Sequence, residues 1–169
     1  MKIERMQELN IEAKDLQVGD RFYIKIGGKD RQCSVISRDN ERISCCFDEI
    51  WLYTNRLNNH LEEALQEIYD GMPEEWKERI PRESFDLLSI REVFGMDSEF
   101  NRCEGQLEFF KDMRNRVAVH EDGYTDWYWL KEAHGAPGSQ FCSCGTCGFA
   151  GYDLASNANG YVRPRFVIA

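Results

Sequence analysis

Three cysteines in the last third of the sequence have the spacing of metal ligands. They occur within Cys142-Ser143-Cys144-Gly145-Thr146-Cys147, where a turn at the glycine would let three thiolates converge. Thiolate ligands favour zinc over calcium or magnesium. A structural zinc site normally has four ligands, and the second Cys-x-x-Cys pair of a zinc finger is absent. The fourth ligand would have to come from elsewhere in the chain: His134, Cys33, Cys45 or Cys46. We therefore expect no cofactor, with zinc at Cys142, Cys144 and Cys147 as the alternative.

The cysteines are predicted to be reduced thiols rather than disulfides. The chain has seven cysteines, an odd number, and its first residues lack the apolar segment of a secretory signal. Both features predict a cytoplasmic protein in the host cell, or a virion-associated one. Catalysis by a thiol would need a nearby base, and His60, His120 and His134 have no diagnostic spacing to the cysteines. We expect the protein not to be an enzyme, with a zinc-binding or cysteine-dependent enzyme as a less favoured alternative.

Oxygen-bearing side chains follow the cysteine segment. Asp153, Ser156, Asn157 and Asn159 carry the ligand atoms that calcium uses in some lectins, but the Glu-Pro-Asn and Trp-Asn-Asp triplets of calcium-dependent sugar binding are absent. Turn formation explains these residues better. We predict that the loop surface between residues 131 and 161 recognises a partner, through the following residues: Tyr152, Asp153, Asn157 and Asn159.

The charge of the chain limits its partners. The formal net charge is −9, which opposes binding to nucleic acid or to an anionic membrane through a general positive field. Acidic side chains are predicted on the solvent side of two helices: Glu62, Glu63, Glu67, Glu74 and Glu75. They are either ordinary solvated helix faces or an acidic surface that competes for the basic groove of a nuclease.

The helices and strands predicted from the sequence belong to a single α+β domain. Residues 1–15 are an N-terminal extension, 16–50 a β-meander, 55–112 mainly helical, and 123–169 a loop-rich C-terminal sheet region. Within 96–122 no pattern places the chain, although Phe100, Cys103, Leu107 and Phe110 have helical spacing. No apolar run approaches the roughly 20 residues that a membrane-spanning helix needs.

Four local patterns predict individual helices and strands. Leu57, Leu61, Leu65, Ile68 and Met72 predict one amphipathic helix. The segment Ser89-Ile90-Arg91-Glu92 has the spacing of a capping box. Trp127-Tyr128-Trp129-Leu130 would be apolar on both faces, as a central strand is. In the strand from residue 162 to 168, Pro164 predicts an edge or a bulge, and Arg163 is expected to pair with a carboxylate.

The aromatic block and the later Val162-Arg163-Pro164 resemble a domain family of unknown function from Firmicutes and their phages. Its motifs are Trp-Trp-Leu-Arg-Ser and Gly-Val-Arg-Pro; here Lys131 and Glu132 stand where the family usually has Arg and Ser. That family looks like a distant relative of the C-type-lectin-like scaffold shared with formylglycine-generating enzymes. The resemblance implies one compact mixed antiparallel sheet with flanking helices and a loop-rich C-terminal face.

Two functions of different classes follow. The first is a non-enzymatic phage- or prophage-type recognition domain, whose C-terminal loop face binds a virion component or an envelope glycan. The second is an anti-CRISPR-type inhibitor that binds a host defence nuclease through its acidic surface. Neither function involves direct binding to nucleic acid or to a membrane.

Overall fold

Two five-stranded sheets carry the fold of residues 13–169, which is the part of the chain described by the computed structural model. Most of the predicted N-terminal extension, residues 1–12, lies outside this part; the described residues begin with a 3-10 turn at Ala13–Asp15. Short helices accompany the sheets in one small domain, so the predicted α+β class is confirmed.

The first sheet begins with the three strands of the predicted β-meander. These are β1 (Arg21–Ile26), β2 (Lys29–Arg38) and β3 (Ile43–Phe47), and each pairs antiparallel with the next. Two strands from later in the chain extend the sheet: β5 (Asp86–Leu87) and β12 (Pro164–Ile168). The order is β1-β2-β3-β12-β5, which places β12 inside the sheet.

The second sheet contains the aromatic block. Its strands are β4 (Tyr53–Thr54), β8 (Tyr128–His134), β9 (Gln140–Cys144), β10 (Ala150–Leu154) and β11 (Gly160–Tyr161). The order is β10-β9-β8-β11-β4, so β8 is central as predicted and β10 lies at one edge. A separate two-stranded hairpin joins β6 (Ala118–Val119) to β7 (Thr125–Asp126).

Three short α-helices flank the sheets: α1 (His60–Asp70), α2 (Glu74–Lys77) and α3 (Ile90–Phe94). Helix α1 buries the predicted stripe from Leu65 onward, but Leu57 precedes the helix and is exposed, so its assignment to the stripe was wrong. The capping box of α3 is confirmed, because Ser89 accepts from the backbone N–H of Glu92 and Glu92 accepts from that of Ser89. No helix in residues 13–169 is long and apolar enough to cross a membrane.

The helix predicted through Phe100, Cys103 and Leu107 is wrong. Residues 96–107 form an irregular loop, and 3-10 turns follow at Glu108–Lys111 and Met113–Arg116. The carboxylate of Asp97 accepts hydrogen bonds from the backbone N–H groups of Glu99 and Asn101, and such local bonds compete with helix formation. The apolar members of the stripe are still used in packing, and Phe110 is fully buried.

Both sheets are apolar on both faces, which gives the domain two core clusters. In β8, Trp129 belongs to one cluster while its neighbours Tyr128 and Leu130 belong to the other. Neighbouring Val35 and Ile36 of β2 divide in the same way. The first half of β8 is therefore buried on both faces, as the two-sided apolar pattern of residues 127–130 predicts, whereas Lys131 in the same strand is exposed.

A buried cation joins the two sheets. Arg163, between β11 and β12, is 1% exposed, and its Nε donates to the carbonyl oxygen of Phe47 at 2.6 Å. Its Nη1 donates to the hydroxyl of Tyr128 at 2.9 Å, and its Nη2 lies 3.5 Å from the carboxylate of Asp48. The predicted carboxylate partner is confirmed. The predicted edge position of Pro164 is wrong, because Pro164 is the first residue of an interior strand, where a missing N–H is tolerated.

The ionic form of Arg163 is favoured by its surroundings. Burial disfavours the charged guanidinium, but the attraction of Cys46, Tyr128 and Asp48 outweighs that effect and raises the pKa of Arg163. Asp48 is held in turn by Ser34, whose hydroxyl donates to it at 2.7 Å. Because both charges are paired and further hydrogen-bonded, the network satisfies the condition for burying ions.

Trp129 and Gly160 fix the contact between β8 and β11. The indole N–H of Trp129 donates to the carbonyl oxygen of Thr54 at 2.8 Å. A Cβ atom on Gly160 would lie 2.1 Å from the indole nitrogen, far inside van der Waals contact. Glycine is therefore required here by the close approach of the indole ring to the backbone.

Candidate functional site

The edge strand β10 exposes apolar side chains in a row. Tyr152 is 50% exposed and Leu154 is 55% exposed, and both point to the same face because they are two residues apart. Tyr152 lies opposite Cys142 of β9, which belongs to the second core cluster. The exposed row therefore continues the side of the sheet that is buried further inside the domain.

The backbone of β10 also has unused hydrogen-bonding groups. The N–H of Gly145 donates to Phe149, and the N–H of Ala155 donates to Ser139, which fixes the phase of the β9–β10 ladder. Bonds alternate along an antiparallel pair, so the N–H and C=O groups of Ala150 and Tyr152 point away from β9. Within residues 13–169 no strand pairs with that side of β10.

Three aromatic rings contact one another at Tyr152. The ring of His134 stacks on those of Phe100 and Tyr152, with centroid distances of 4.7 and 4.4 Å and interplanar angles of 27° and 23°, and the Phe100 and Tyr152 centroids lie 6.2 Å apart. The Nδ1 atom of His134 lies 2.6 Å from the carbonyl oxygen of Ser98, so Nδ1 carries the donated hydrogen. We call the set of Phe100, His134, Tyr152 and Leu154 the β10 edge surface.

Phe100 reaches the stack from a left-handed backbone conformation. Its φ is 65°, which is rare for a bulky side chain and costs on the order of 1–3 kcal/mol. The loop is fixed by Asp97, whose carboxylate accepts from two backbone N–H groups and whose pKa those bonds lower. Glu99 further ties it to β8 by accepting from the backbone N–H of Gly135. The aromatic stack is therefore preformed.

The predicted oxygen-bearing residues end this edge. Asp153 accepts hydrogen bonds from the backbone N–H of Leu154 and from the side-chain amide of Asn157. The side-chain oxygen of Asn157 accepts from the backbone N–H of Asn159. These bonds agree with turn formation; Asp153 lies between Tyr152 and Leu154 in β10, and Asn157 and Asn159 follow in the turn after the strand.

No protein-family model, curated protein or solved structure matches this chain.

The three clustered cysteines differ in their surroundings. Cys142 and Cys144 point into the second core cluster from β9, whereas Cys147 is exposed in the turn that follows. Burial raises the pKa of Cys142 to about 11 and also raises that of Cys144, which keeps both thiols protonated at neutral pH. Among residues 13–169, no three Cys, His, Asp or Glu side chains are grouped so that they could hold a metal ion.

The zinc alternative has a direct test. We expect EDTA to leave the melting temperature unchanged, and Cys147→Ser to do the same, because the thiol of Cys147 is exposed. Scanning calorimetry of metal-loaded and chelator-treated protein measures both effects. A drop of many degrees in both experiments would instead establish a structural metal, since metal-binding energy contributes directly to folding.

The predicted acidic residues lie on helices α1 and α2, and all five are exposed: Glu62, Glu63, Glu67, Glu74 and Glu75. Two of them have basic neighbours, because Glu62 contacts Arg82 and Glu74 lies 3.4 Å from Lys77. Their exposed positions agree with both readings of the acidic surface.

Three members of the β10 edge surface were missed as site residues. Phe100 was assigned to a helical stripe, His134 was considered only as a metal ligand or a base, and Leu154 was not considered. The signal in the sequence was Asp97-Ser98-Glu99-Phe100-Asn101, since Asp and Asn at the ends of a short polar segment are typical of a turn.

Proposed function

We propose that this protein is a non-enzymatic recognition domain that binds an extended segment of a partner protein along β10. The observation that carries the proposal is the exposed row of Tyr152 and Leu154 beside main-chain groups that have no strand partner within the described residues. Exposed edges of this kind are usually blocked by charge, proline or a covering loop, because they pair with other chains. An unblocked apolar edge is best explained by a partner.

The chemistry of the edge favours a polypeptide over a glycan. A peptide in extended conformation can pair with the outward N–H and C=O groups of Ala150 and Tyr152, which supplies affinity. Its alternate side chains would then contact the Tyr152–His134 stack and Leu154, which supplies specificity. The preformed stack lowers the entropy cost of binding. The partner that we propose is a virion protein, in keeping with the family that the chain resembles.

Peptides selected from a random library on the immobilised protein provide the test. The double variant Tyr152→Ser with Leu154→Ser should weaken their binding by roughly 10- to 100-fold, the range of a small binding hot spot. The matched control is Tyr53→Ser, since Tyr53 is 59% exposed on β4 at the opposite edge of the same sheet. It should leave affinity unchanged.

Amide NMR of the same peptide complexes locates the binding. Shift changes should concentrate at Ala150, Tyr152 and Leu154. Equal binding by the double variant, or retention of the protein only by envelope glycan, would contradict the proposal.

The acidic surface supports a second candidate, an anti-CRISPR-type inhibitor of a host defence nuclease. It is favoured by the exposure of all five predicted glutamates on α1 and α2, since exposed carboxylates can occupy a basic groove. Affinity capture from soluble and envelope fractions of a Firmicutes host separates the candidates. The inhibitor is favoured if the protein retains a nuclease at low salt. The triple variant Glu62→Gln, Glu63→Gln, Glu67→Gln should then lose the nuclease, and the Tyr152→Ser, Leu154→Ser variant should keep it.

The relationship to the C-type-lectin-like scaffold is also a proposal. It is supported by the central position of the aromatic block in β8 and by the return of β12 to the sheet that contains the first strands. Residues 131–161, which contain β9, β10 and the turns beside them, then correspond to the face that such scaffolds use for recognition. The fold by itself implies no activity, because one scaffold hosts many functions.

A further inference from the structure

Two open clefts meet beside β2, away from the β10 edge surface in the other sheet. One has a volume of about 380 Å³ and the other about 390 Å³, and both are lined by Lys29, Arg31 and Trp51. The first is bounded by the hairpin loop that carries Glu121. The second has an apolar floor that includes Ile26 and Ile68. Together they form one cleft, in which two cations lie between a loop and an apolar surface.

Arg31 is a buried cation with few partners. Its side chain is 8% exposed, and its guanidinium carbon lies 4.3 Å from the centroid of the Trp51 ring. Its Nε has no hydrogen-bond partner within residues 13–169. The carboxylate of Glu49 lies 3.9 Å from Nη1, too far for a hydrogen bond. Its Nη1 contacts carboxylates only at 3.4 Å or more, so this nitrogen can still donate a shorter bond to a better placed anion.

The carboxylate of Glu121 currently contacts both cations. It lies 3.4 Å from Lys29 Nζ and 3.4 Å from Arg31 Nη1, longer than the usual 2.7–2.9 Å of charge-assisted hydrogen bonds. Glu121 itself is 59% exposed on the loop between β6 and β7. Exposed ion pairs of this geometry contribute little to stability. A free carboxylate with better geometry could therefore displace Glu121 at small cost.

We propose that this cleft binds a small carboxylic acid with a short aliphatic chain. The ligand carboxylate takes the position of the Glu121 carboxylate between Lys29 and Arg31, and its chain lies over Ile26 and Ile68. A monoanion fits better than a phosphate dianion, because the rim also carries acidic side chains: Glu67, Glu121 and Asp122. The site is independent of the proposed recognition function.

Straight-chain carboxylates from acetate to octanoate, each with its matching primary amide, test the proposal by NMR titration. The carboxylates should shift the NMR signals of the backbone N–H groups of Lys29 and Arg31 and of the indole N–H of Trp51. The matching primary-amide ligands should leave these signals unchanged. Each added methylene should tighten binding by up to about three- to fourfold until the floor is covered. Shifts that map elsewhere, or amides that bind as well as acids, would overturn the proposal.

Two exposed positions give the decisive variants. Glu121→Gln should tighten carboxylate binding by about threefold, because the competing internal carboxylate is gone. Lys29→Gln should weaken it by at least a similar factor. Lys25→Gln is the matched control, since Lys25 is equally exposed and pairs with Asp30 outside the cleft. Arg31 is left intact because its packing on Trp51 makes it part of the fold. Unchanged affinity in Glu121→Gln protein would refute the displacement.

Discussion

Replacing Arg163 by methionine should lower the free energy of unfolding by about 3–5 kcal/mol, the cost of breaking a buried ion pair by removing one partner. Methionine fills much of the same volume, so the loss comes from polar groups rather than from a cavity. The carboxylate of Asp48 loses its buried cation, and the carbonyl oxygens of Phe47, Asn115 and Arg116 each lose a donor. Urea denaturation of the two proteins measures the difference.

A double-mutant cycle separates this network from general packing. Asp48→Asn alone should also be destabilising, because it leaves the guanidinium without its anion. The combined Arg163→Met, Asp48→Asn protein should lose less than the sum of the single losses, since neither charge is then left unpaired. Additive losses would mean that the two residues act separately and that the cation is not paired as described.

Replacing Trp129 by alanine should cost about 3–5 kcal/mol, the usual range for removing a large aromatic side chain from a core. The side chain is fully buried, packs against Trp127 at a centroid distance of 4.9 Å, and donates to the carbonyl oxygen of Thr54. Its removal leaves a cavity above Gly160 and an acceptor in β4 without its donor. A variant that no longer shows a cooperative unfolding transition at 37 °C would also agree with this prediction.

Trp127→Ala is the control for that substitution. Trp127 has the same side chain two residues earlier, but it lies before β8 and is only half-buried. We expect its replacement to cost clearly less than that of Trp129, as measured by the same urea denaturation. Equal losses would show that the edge-to-face contact of the two indoles, and not the buried position of Trp129, determines stability.

Local patterns in the sequence were enough to predict much of the first sheet and the centre of the second. Alternation located β1 and β3, the short segment between them located part of β2, and the two-sided apolar block located β8, because burial of a strand depends on its own side chains. The capping box at Ser89 was equally readable, since its partners are three residues apart. In each case the information lies within a few consecutive residues.

The candidate site was less predictable because its parts come from separate segments. Tyr152 was expected to bind a partner, but its stacking on His134 and Phe100 joins residues 18 and 52 positions apart. Helical spacing at Phe100 misled the prediction, since apolar residues in an irregular loop can share that spacing by chance. The position of Pro164 was missed for a related reason: β5, which makes β12 an interior strand, contains only two residues.

The late position of β11 and β12 in the chain determines when the protein can fold during synthesis. Residues 160–168 supply the strand between β3 and β5 in one sheet and the strand between β8 and β4 in the other. Until the ribosome has made them, both sheets have an unfilled interior position, and Asp48 has no buried cation. Such non-local pairing slows folding and leaves strand edges exposed to aggregation. We therefore expect the nascent chain to expose unpaired strand edges until β11 and β12 have emerged.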